Sequence, residues 1–420
     1  MKNFLLKVGL FSFVIVFVFA SSCDKQKDEV AGTSAKAAKA QEYVLGSSLA
    51  ITGPTSDIGS PYSKGIEDYC NYANAVKLLG NDTLNCMVRD DAYKTETTKQ
   101  NFEDFLELGM VLYLNYSTGS TLGLKKDFEE EKMPVLPASF HYGNLENSNY
   151  IFLPIASYSE QAIGLAEYVV KNHKGKTPKV AMFIHPSAFG RGPVSDVKKA
   201  VAAGLDINIL EVVEHGKDLD YTAMIKRWIS KGVQYVIIHT TQPSVATMLK
   251  DTQRLGKGAK SFGEKGKLTF LAAHYACGPD LIKLAGAATE NYYCTTSYVF
   301  PTSAGPGTDA QMAIAKMNNR DASVAESQNY TNGLMVTQIA VEAIRRVKAK
   351  GMEVSKESLY DELNAMNGMN SYFPLTTVGP VSFSKTDRSG VDSLQLYKAQ
   401  NGVFNVVGQP FTSAYFRKIQ

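Results

Sequence analysis

The sequence predicts an α/β protein in which two successive units are each built on a parallel sheet. From Tyr43 onward, short apolar runs typical of strands alternate with longer amphipathic runs typical of helices, and this order is characteristic of parallel α/β sheets. The apolar runs are nearly continuous, as expected for strands buried on both faces. With 420 residues, 44% of them hydrophobic and 20% charged, the chain is long enough for two or three globular domains.

The first unit contains apolar runs that predict strands at 43–51, 84–88, 110–114 and 134–138. Thr52-Gly53-Pro54 ends the first of these strands, and Pro61 marks the start of a helix that runs to Leu79. A second helix is predicted to end at Leu108, and a third to span 120–131.

The second unit continues the alternation and ends in a β-rich tail. Strands are predicted at 179–185, 207–213, 235–239 and 268–272, and helices at 157–172, 190–203, 221–231 and 243–255. Helices at 309–317, 330–350 and 356–366 precede short β runs at 381–383, 394–398 and 403–407. Gln400-Asn401-Gly402 is a strong hairpin signal. The tail is too small for a domain of its own, so we expect it to complete one of the two units.

The N-terminus has the features of a signal peptide that ends at a lipid-modified cysteine. Lys2 and Lys7 precede an apolar core at 8–20, which is shorter than a membrane-spanning helix. Small residues then lead directly to Cys23, an arrangement that resembles a bacterial lipobox. We therefore expect a signal peptide at 1–22, followed at 23–42 by a lipidated Cys23 and a flexible tether.

Four cysteines remain after Cys23: Cys70, Cys86, Cys277 and Cys294. In an exported protein an even remainder is consistent with two disulfides. Cys70 falls late in a predicted helix and Cys86 in the next strand, while Cys277 and Cys294 are separated by one short helix. Four cysteines allow three pairings, and buried free thiols are an equal alternative.

The stretch Tyr113-Leu114-Asn115-Tyr116-Ser117-Thr118-Gly119-Ser120-Thr121 joins a buried strand directly to a helix. Hydroxyls and unpaired backbone N–H groups at a helix start bind a carboxylate or a similar polar group well. In open α/β sheets, ligands bind at the carboxyl ends of strands, where this stretch lies. We interpret it as a ligand seat; the alternative is an ordinary helix N-cap.

Four short motifs follow one another along the chain: Ile51-Thr52-Gly53-Pro54 with Gly65, Asp90-Asp91, Ser117-Thr118-Gly119-Ser120-Thr121, and Phe189-Gly190-Arg191-Gly192. In this order they resemble the extracytoplasmic solute-binding proteins of ABC importers, in the branched-chain amino acid and amide branch. The resemblance implies the type I periplasmic-binding-protein fold, in which two Rossmann-like lobes with parallel central sheets are joined by a three-crossover hinge and close on a ligand.

The resemblance also implies where the lobes begin and end. It places the crossovers near 153–157, 296–301 and 376–380. Lobe I would comprise 43–155 and 299–377, and lobe II would comprise 156–298 and 378–420.

Ligand contacts can be carried over from the resemblance position by position. Ser117 and Thr118 match the seat for the ligand's polar head, Phe189 an aromatic lid, and His274-Tyr275 the position of a glutamate in leucine-type members. The full candidate set is Ile58, Tyr116, Ser117, Thr118, Ser139, His141, Phe189, Thr241, Gln242, His274 and Tyr275. Because an ammonium group buried without a carboxylate or aromatic partner is costly, the lost glutamate puts an ordinary α-amino acid in doubt.

Catalytic and cofactor motifs are sparse. The six histidines form no His-Glu-x-x-His pair, and the chain has no Gly-x-Ser-x-Gly elbow. His239 and His274 end adjacent predicted strands, but two histidines without a third ligand make a weak metal site. We therefore expect no cofactor. Loss of the leader also removes two lysines from a formal net charge of +3, which argues against a nucleic-acid partner.

Together these features predict a lipid-anchored, non-enzymatic solute-binding component of an ABC importer, periplasmic or on the outer face of the cytoplasmic membrane. Its expected partners are a small solute, the importer's membrane permease, and the membrane itself through Cys23. The solute is expected to be an amino acid, an amide or an organic carboxylate. Two alternatives remain: a ligand sensor for a membrane receptor, and an extracytoplasmic hydrolase that uses His239 and His274.

Overall fold

The computed structural model describes residues 39–216, 220–369 and 377–420. The predicted signal peptide, Cys23 and Thr376 lie outside the described residues. Within them, no helix combines the length and the apolar character that crossing a membrane requires.

The first sheet is built from parallel strands with an apolar interior. Its strands are β1 (Glu42–Leu49), β2 (Thr83–Asp90) and β3 (Met110–Asn115), and they pair in the order β2-β1-β3. Leu45 and Leu112 are fully buried in the core beneath the helices. The carboxyl ends of β1 and β3 thus lie side by side at one edge of this lobe.

The second sheet is larger and includes the β-rich tail. Its strands are β4 (Lys179–Ile184), β5 (Asn208–Glu214), β6 (Tyr235–His239), β7 (Thr269–Ala272), β8 (Tyr293–Thr296), β9 (Leu394–Gln400) and β10 (Val403–Phe411). They pair in the order β10-β9-β8-β7-β6-β4-β5. The central strands are parallel, whereas β9 and β10 form an antiparallel hairpin at one edge. The hairpin at the C-terminal end therefore completes the second sheet, which agrees with the expectation that the small tail would complete one of the two units.

Helices cover both sheets. With the first sheet lie α1 (Ser56–Ala75), α2 (Thr95–Glu107), α3 (Thr118–Gly123), α4 (Lys125–Glu130) and, from later in the chain, α11 (Pro306–Met317), α12 (Ala322–Ala325), α13 (Gln328–Ala349) and α14 (Lys356–Asn364). With the second lie α5 (Tyr158–Asn172), α6 (Ala188–Arg191), α7 (Val194–Ala202), α8 (Thr222–Lys231), α9 (Gln242–Arg254), α10 (Pro279–Ala285) and α15 (Ala414–Ile419). Backbones of α1 and α13 touch at Gly65 and Gly333, where any side chain would collide with the facing helix.

The first helix and the helix predicted at 190–203 differ from their sequence predictions. The first begins at Ser56, five residues before Pro61, because Thr55 turns the chain in the left-handed region (φ 63°). It ends at Ala75 because Lys77 also adopts a left-handed conformation (φ 54°), which stops a helix. The helix predicted at 190–203 is split into α6 and α7 around Pro193, which lacks the N–H that a continuous helix needs.

Other differences also have local causes. The helix predicted at 120–131 is two short helices that meet at Leu124. The strand predicted at 134–138 is reduced to isolated bridges of Val135 with Tyr113 and Ile151, because Pro134 and Pro137 have no N–H to donate to a ladder. The β run at 381–383 likewise makes a single bridge, from Val381 to Met369.

Chain crossings between the lobes lie side by side. Leu153 forms a bridge with Ser389, and Tyr298 forms one with Thr377. Phe383 and Val391 still pack in the core of the first lobe, and the chain joins the second sheet only at β9. We therefore propose a third crossover at 391–394 rather than near 376–380, with the other lobe boundaries as predicted.

Both candidate cysteine pairs are joined in the structure. Cys70 of α1 is bonded to Cys86 of β2, and Cys277 is bonded to Cys294 of β8. The first disulfide ties a helix to the strand that follows it, and the second ties the turn after β7 to strand β8. Both are remote in sequence from the seat at Ser117.

Candidate functional site

Loops at the carboxyl ends of strands in both sheets meet around one cavity. Its volume in this structure is about 20 Å³, room for about one water molecule. The lining residues are Thr55, Ile58, Tyr93, Tyr116, Ser117, Thr118, Ala138, Tyr158, Phe189 and Tyr275. A solute of amino acid size can therefore enter only when the loops around the cavity move apart.

The seat consists of Ser117 and Thr118, directly after β3. Ser117 is the N-cap of α3, and its hydroxyl accepts the N–H of Ser120 at 3.0 Å. The Thr118 hydroxyl is hydrogen-bonded to the Ser139 hydroxyl at 2.7 Å, and both side chains are buried. The first N–H groups of a helix have no partner within it. The seat therefore presents hydroxyls and backbone donors to the cavity, as a carboxylate requires.

Five aromatic side chains, the aromatic wall, form most of the remaining lining: Tyr93, Tyr116, Tyr158, Phe189 and Tyr275. Tyr158, Phe189 and Tyr275 pack edge to face, with ring centroids 5.3–6.2 Å apart. Burial raises the pKa of the Tyr116, Tyr158 and Tyr275 phenols above its ordinary value. The wall is therefore uncharged across the physiological pH range.

The two lobes touch across the cavity. The Tyr275 hydroxyl donates to the Ala138 carbonyl at 2.6 Å, and the Tyr275 ring stacks on Phe140 with an interplanar angle of 6°. At the rim, the Tyr93 and Ser187 hydroxyls lie 3.5 Å apart. These contacts join residues of the first lobe to residues of the second, so the structure shows the two lobes closed against each other.

His239 fixes the position of Phe189. Its Nε2 donates to the Phe189 carbonyl at 3.1 Å, and its ring packs against Phe189 and Tyr158 at centroid distances of 4.4 Å. Burial lowers the pKa of His239 to about 3, so the ring is neutral. Gly190 is required beside it, because a side chain there would collide with the His185 backbone.

Several residues predicted to contact a ligand do not line the cavity. Ser139 lies behind Thr118, and His141 packs between Gly143 and Gly192. Thr241 is the N-cap residue of α9, and the Gln242 side chain donates to the Cys277 carbonyl at 3.0 Å. The residues that do line it from the predicted set are Ile58, Tyr116, Ser117, Thr118, Phe189 and Tyr275.

His274 also faces away from the cavity and joins the two lobes instead. Its Nδ1 lies 2.7 Å from the Thr296 hydroxyl, and its Nε2 lies 2.9 Å from the Asn332 amide on α13. Burial lowers its pKa to about 3. Tyr275, its neighbour, is thus the residue of this pair that reaches the ligand space.

Acidic side chains near the cavity lie outside its lining. Asp90 accepts the backbone N–H groups of Ile51 and Ala92 and so caps a loop. Asp57 lies in the first turn of α1, directly before the lining residue Ile58. Burial of this carboxyl group raises its pKa to about 6, although the residue as a whole is exposed. Among the described residues, no Asp or Glu lines the cavity.

This two-lobed architecture agrees with a family model for periplasmic binding proteins, which matches residues 42–403. The chain belongs to the periplasmic binding protein family. Its fold is the type I fold of that family, with two lobes joined by a three-crossover hinge.

Solved structures of periplasmic binding proteins resemble the chain over most of its length. A branched-chain amino acid ABC transporter protein from Thermus thermophilus, solved with bound valine, is 41% identical and superposes with a TM-score of 0.85 over 90% of this chain and 99% of the other. An ABC transporter substrate-binding protein from Aeropyrum pernix is 19% identical, with a TM-score of 0.78 over 90% and 99% of the two chains.

A characterised relative is the leucine-, isoleucine-, valine-, threonine- and alanine-binding protein of Pseudomonas aeruginosa. It is 22% identical over 277 residues, which is 65% of this chain and 70% of the relative. These relatives are binding proteins rather than enzymes.

The histidines proposed for a hydrolase are in structural positions. His239 and His274 are both buried, and His274 is hydrogen-bonded through both ring nitrogens. Within the described part of the chain, no group of three His, Cys, Asp or Glu side chains could hold a metal ion. Neither ring reaches the cavity, where a substrate would have to lie.

Four lining residues were absent from the predicted set: Thr55, Tyr93, Ala138 and Tyr158. Thr55 and Tyr93 both have left-handed backbones (φ 63° and 65°), a strained conformation that clusters at functional sites. Ala138 contributes through its backbone and Tyr158 through the first turn of α5. A usable signal for Tyr93 was its place two residues after Asp91, in the loop that follows β2.

Proposed function

We propose that the chain is the lipid-anchored, extracytoplasmic solute-binding component of an ABC importer. Its proposed solute is a small carboxylate with a compact apolar body, and branched-chain α-amino acids such as valine are the first candidates. The observation that carries this proposal is the cavity between two touching lobes, whose lining combines the seat with the aromatic wall.

Each part of the cavity suits one part of such a solute. The Ser117 and Thr118 hydroxyls and the adjacent N–H groups suit the carboxylate. Ile58 and the aromatic wall suit a branched aliphatic body, because burial of apolar surface on both sides is favourable. The bound valine of the 41% identical Thermus thermophilus protein supports the same size and chemistry.

A binding screen tests the solute class. Purified protein freed of endogenous solute should be stabilised in a thermal-shift assay by L-valine, L-leucine or L-isoleucine, and calorimetry should give one site per chain. Saturation at 100 times the dissociation constant stabilises a binding protein by about 2.7 kcal/mol. If amino acids, amides and short carboxylates all leave the melting temperature unchanged, the proposal fails.

The anchor and the importer partner are tested separately. Cys23→Ser should release the protein from the membrane fraction of the cell, because only the thiol can carry the proposed lipid. Uptake of the identified solute by cells should fall when the gene is deleted and recover when wild-type protein is restored. Membrane attachment of the Cys23→Ser protein would contradict the lipid anchor, and unchanged uptake would contradict the importer role.

A further inference from the structure

The cavity treats the two ends of an amino acid very differently. The seat offers hydroxyls and backbone N–H groups, all of which can donate to a carboxylate. Most of the remaining lining is formed by the aromatic wall and Ile58, and among the described residues the lining includes no Asp or Glu. The lining therefore offers hydrogen-bond donors for a carboxylate, but only aromatic rings and no acidic side chain for an ammonium group.

A primary ammonium group carries three N–H donors and needs acceptors for them. The Ala138 carbonyl, the lining acceptor nearest the wall, already accepts the Tyr275 hydroxyl at 2.6 Å and the Tyr158 hydroxyl at 3.3 Å. The Tyr116 hydroxyl donates to the Thr55 carbonyl at 3.0 Å. These polar atoms thus satisfy one another before any solute enters.

The carboxylate nearest the cavity, that of Asp57, does not add an acceptor for an ammonium group to the cavity lining. Asp57 lies in the first turn of α1, beside the lining residue Ile58, but it is not part of the cavity lining. Aromatic rings attract a cation, but they also pack against methyl groups, so the aromatic wall does not require an amino group.

From this arrangement, which rests on the proposed function, we propose that the solute's amino group is not a recognition element. The cavity selects short, branched aliphatic monocarboxylates, whether or not they carry a 2-amino group. A site that placed an acidic side chain against the ammonium would instead reject the deaminated analogue. The protein's own carboxylate would then be left buried without a partner.

Calorimetry with three probes tests the proposal on wild-type protein. L-Valine is compared with 3-methylbutanoate, which lacks the amino group, and with L-valinamide, which lacks the carboxylate. We expect the dissociation constants of L-valine and 3-methylbutanoate to agree within tenfold, and L-valinamide to bind more than tenfold more weakly than L-valine. A loss of more than tenfold for 3-methylbutanoate would overturn the inference and leave the proposed function standing.

The Asp57→Asn variant provides the matched control, since it removes the charge nearest the cavity while keeping the side-chain shape. We expect the ratio of the L-valine and 3-methylbutanoate constants to stay within tenfold in this variant. A change in that ratio of more than tenfold would show that Asp57 reads the ammonium and would overturn the inference. If L-valinamide bound as well as L-valine, or if no probe bound, the seat and the proposed function would fail instead.

Discussion

Removal of one hydroxyl from the seat gives the most specific test of how the solute is held. Thr118→Val keeps the shape of the side chain and deletes only Oγ1, which is buried and hydrogen-bonded to Ser139 at 2.7 Å. Ser139 keeps a partner, because the Asn144 amide donates to its hydroxyl at 3.2 Å. The seat should therefore stay in place while it loses one donor to the solute.

The expected effect follows from the energy of a hydrogen bond to a charged group. Loss of such a partner costs on the order of 1 to 3 kcal/mol, which corresponds to a dissociation constant about 5 to 150 times higher. Isothermal titration calorimetry with L-valine measures this directly. Stability in urea without solute, measured in parallel, separates a change in binding from a change in folding.

A matched substitution elsewhere makes the result interpretable. Thr252→Val removes an equally buried hydroxyl, which donates to the Met248 carbonyl within α9 and does not line the cavity. It should lower stability without changing the affinity for L-valine by more than about twofold. An affinity that is unchanged in Thr118→Val, or lowered equally in both variants, would refute the role of the seat.

Three further outcomes are expected. Phe189→Ala should raise the dissociation rate of the solute in stopped-flow experiments more than it lowers the association rate, because it opens the wall and leaves the seat intact; an unchanged off-rate would reject this role. Burial lowers the pKa of His239 to about 3 in the folded protein, whereas in the unfolded chain this histidine has a pKa near 6.5. The stability that comes from the neutral His239 ring is therefore complete above pH 6.5 and is lost as the pH falls towards 3. Between pH 7 and pH 5, wild type should lose roughly 2 kcal/mol more than His239→Gln, and equal losses in urea denaturation would contradict this assignment. Replacing Cys70 and Cys86 together by serine should lower the free energy of unfolding by about 3 kcal/mol, the value for a loop of this length, whereas an unchanged unfolding midpoint would show that the disulfide is dispensable.

Local chemistry explains why part of the site could be predicted from the sequence. Ser117 and Thr118 follow a buried strand and open a helix, and that dipeptide context alone specifies a cap with donors. Phe189 was placed by the resemblance of Phe189-Gly190-Arg191-Gly192 to a family motif, and in the structure a side chain at Gly190 would collide with the His185 backbone. Both signals lie in short stretches of consecutive residues.

The remainder depends on how the lobes meet, which no local pattern encodes. His274 was expected beside the ligand, but Thr296 and Asn332, far along the chain, provide polar partners that hold its ring away from the cavity. Tyr158 enters the lining because the crossover sets the first turn of α5 against the cleft. The helix is split at Pro193 and the strand at Pro134 is reduced to isolated bridges, because proline has no backbone N–H to donate. The apolar pattern of the sequence does not show this loss of hydrogen bonds.

A crystal structure of the protein grown with L-valine tests the central claim most directly. The claim predicts one valine between the lobes, with its carboxylate at about 2.7 to 3.2 Å from the Ser117 and Thr118 hydroxyls or their N–H groups and its side chain against Ile58 and the aromatic wall. Electron density for valine outside this cavity, or a carboxylate turned away from the seat, would contradict it.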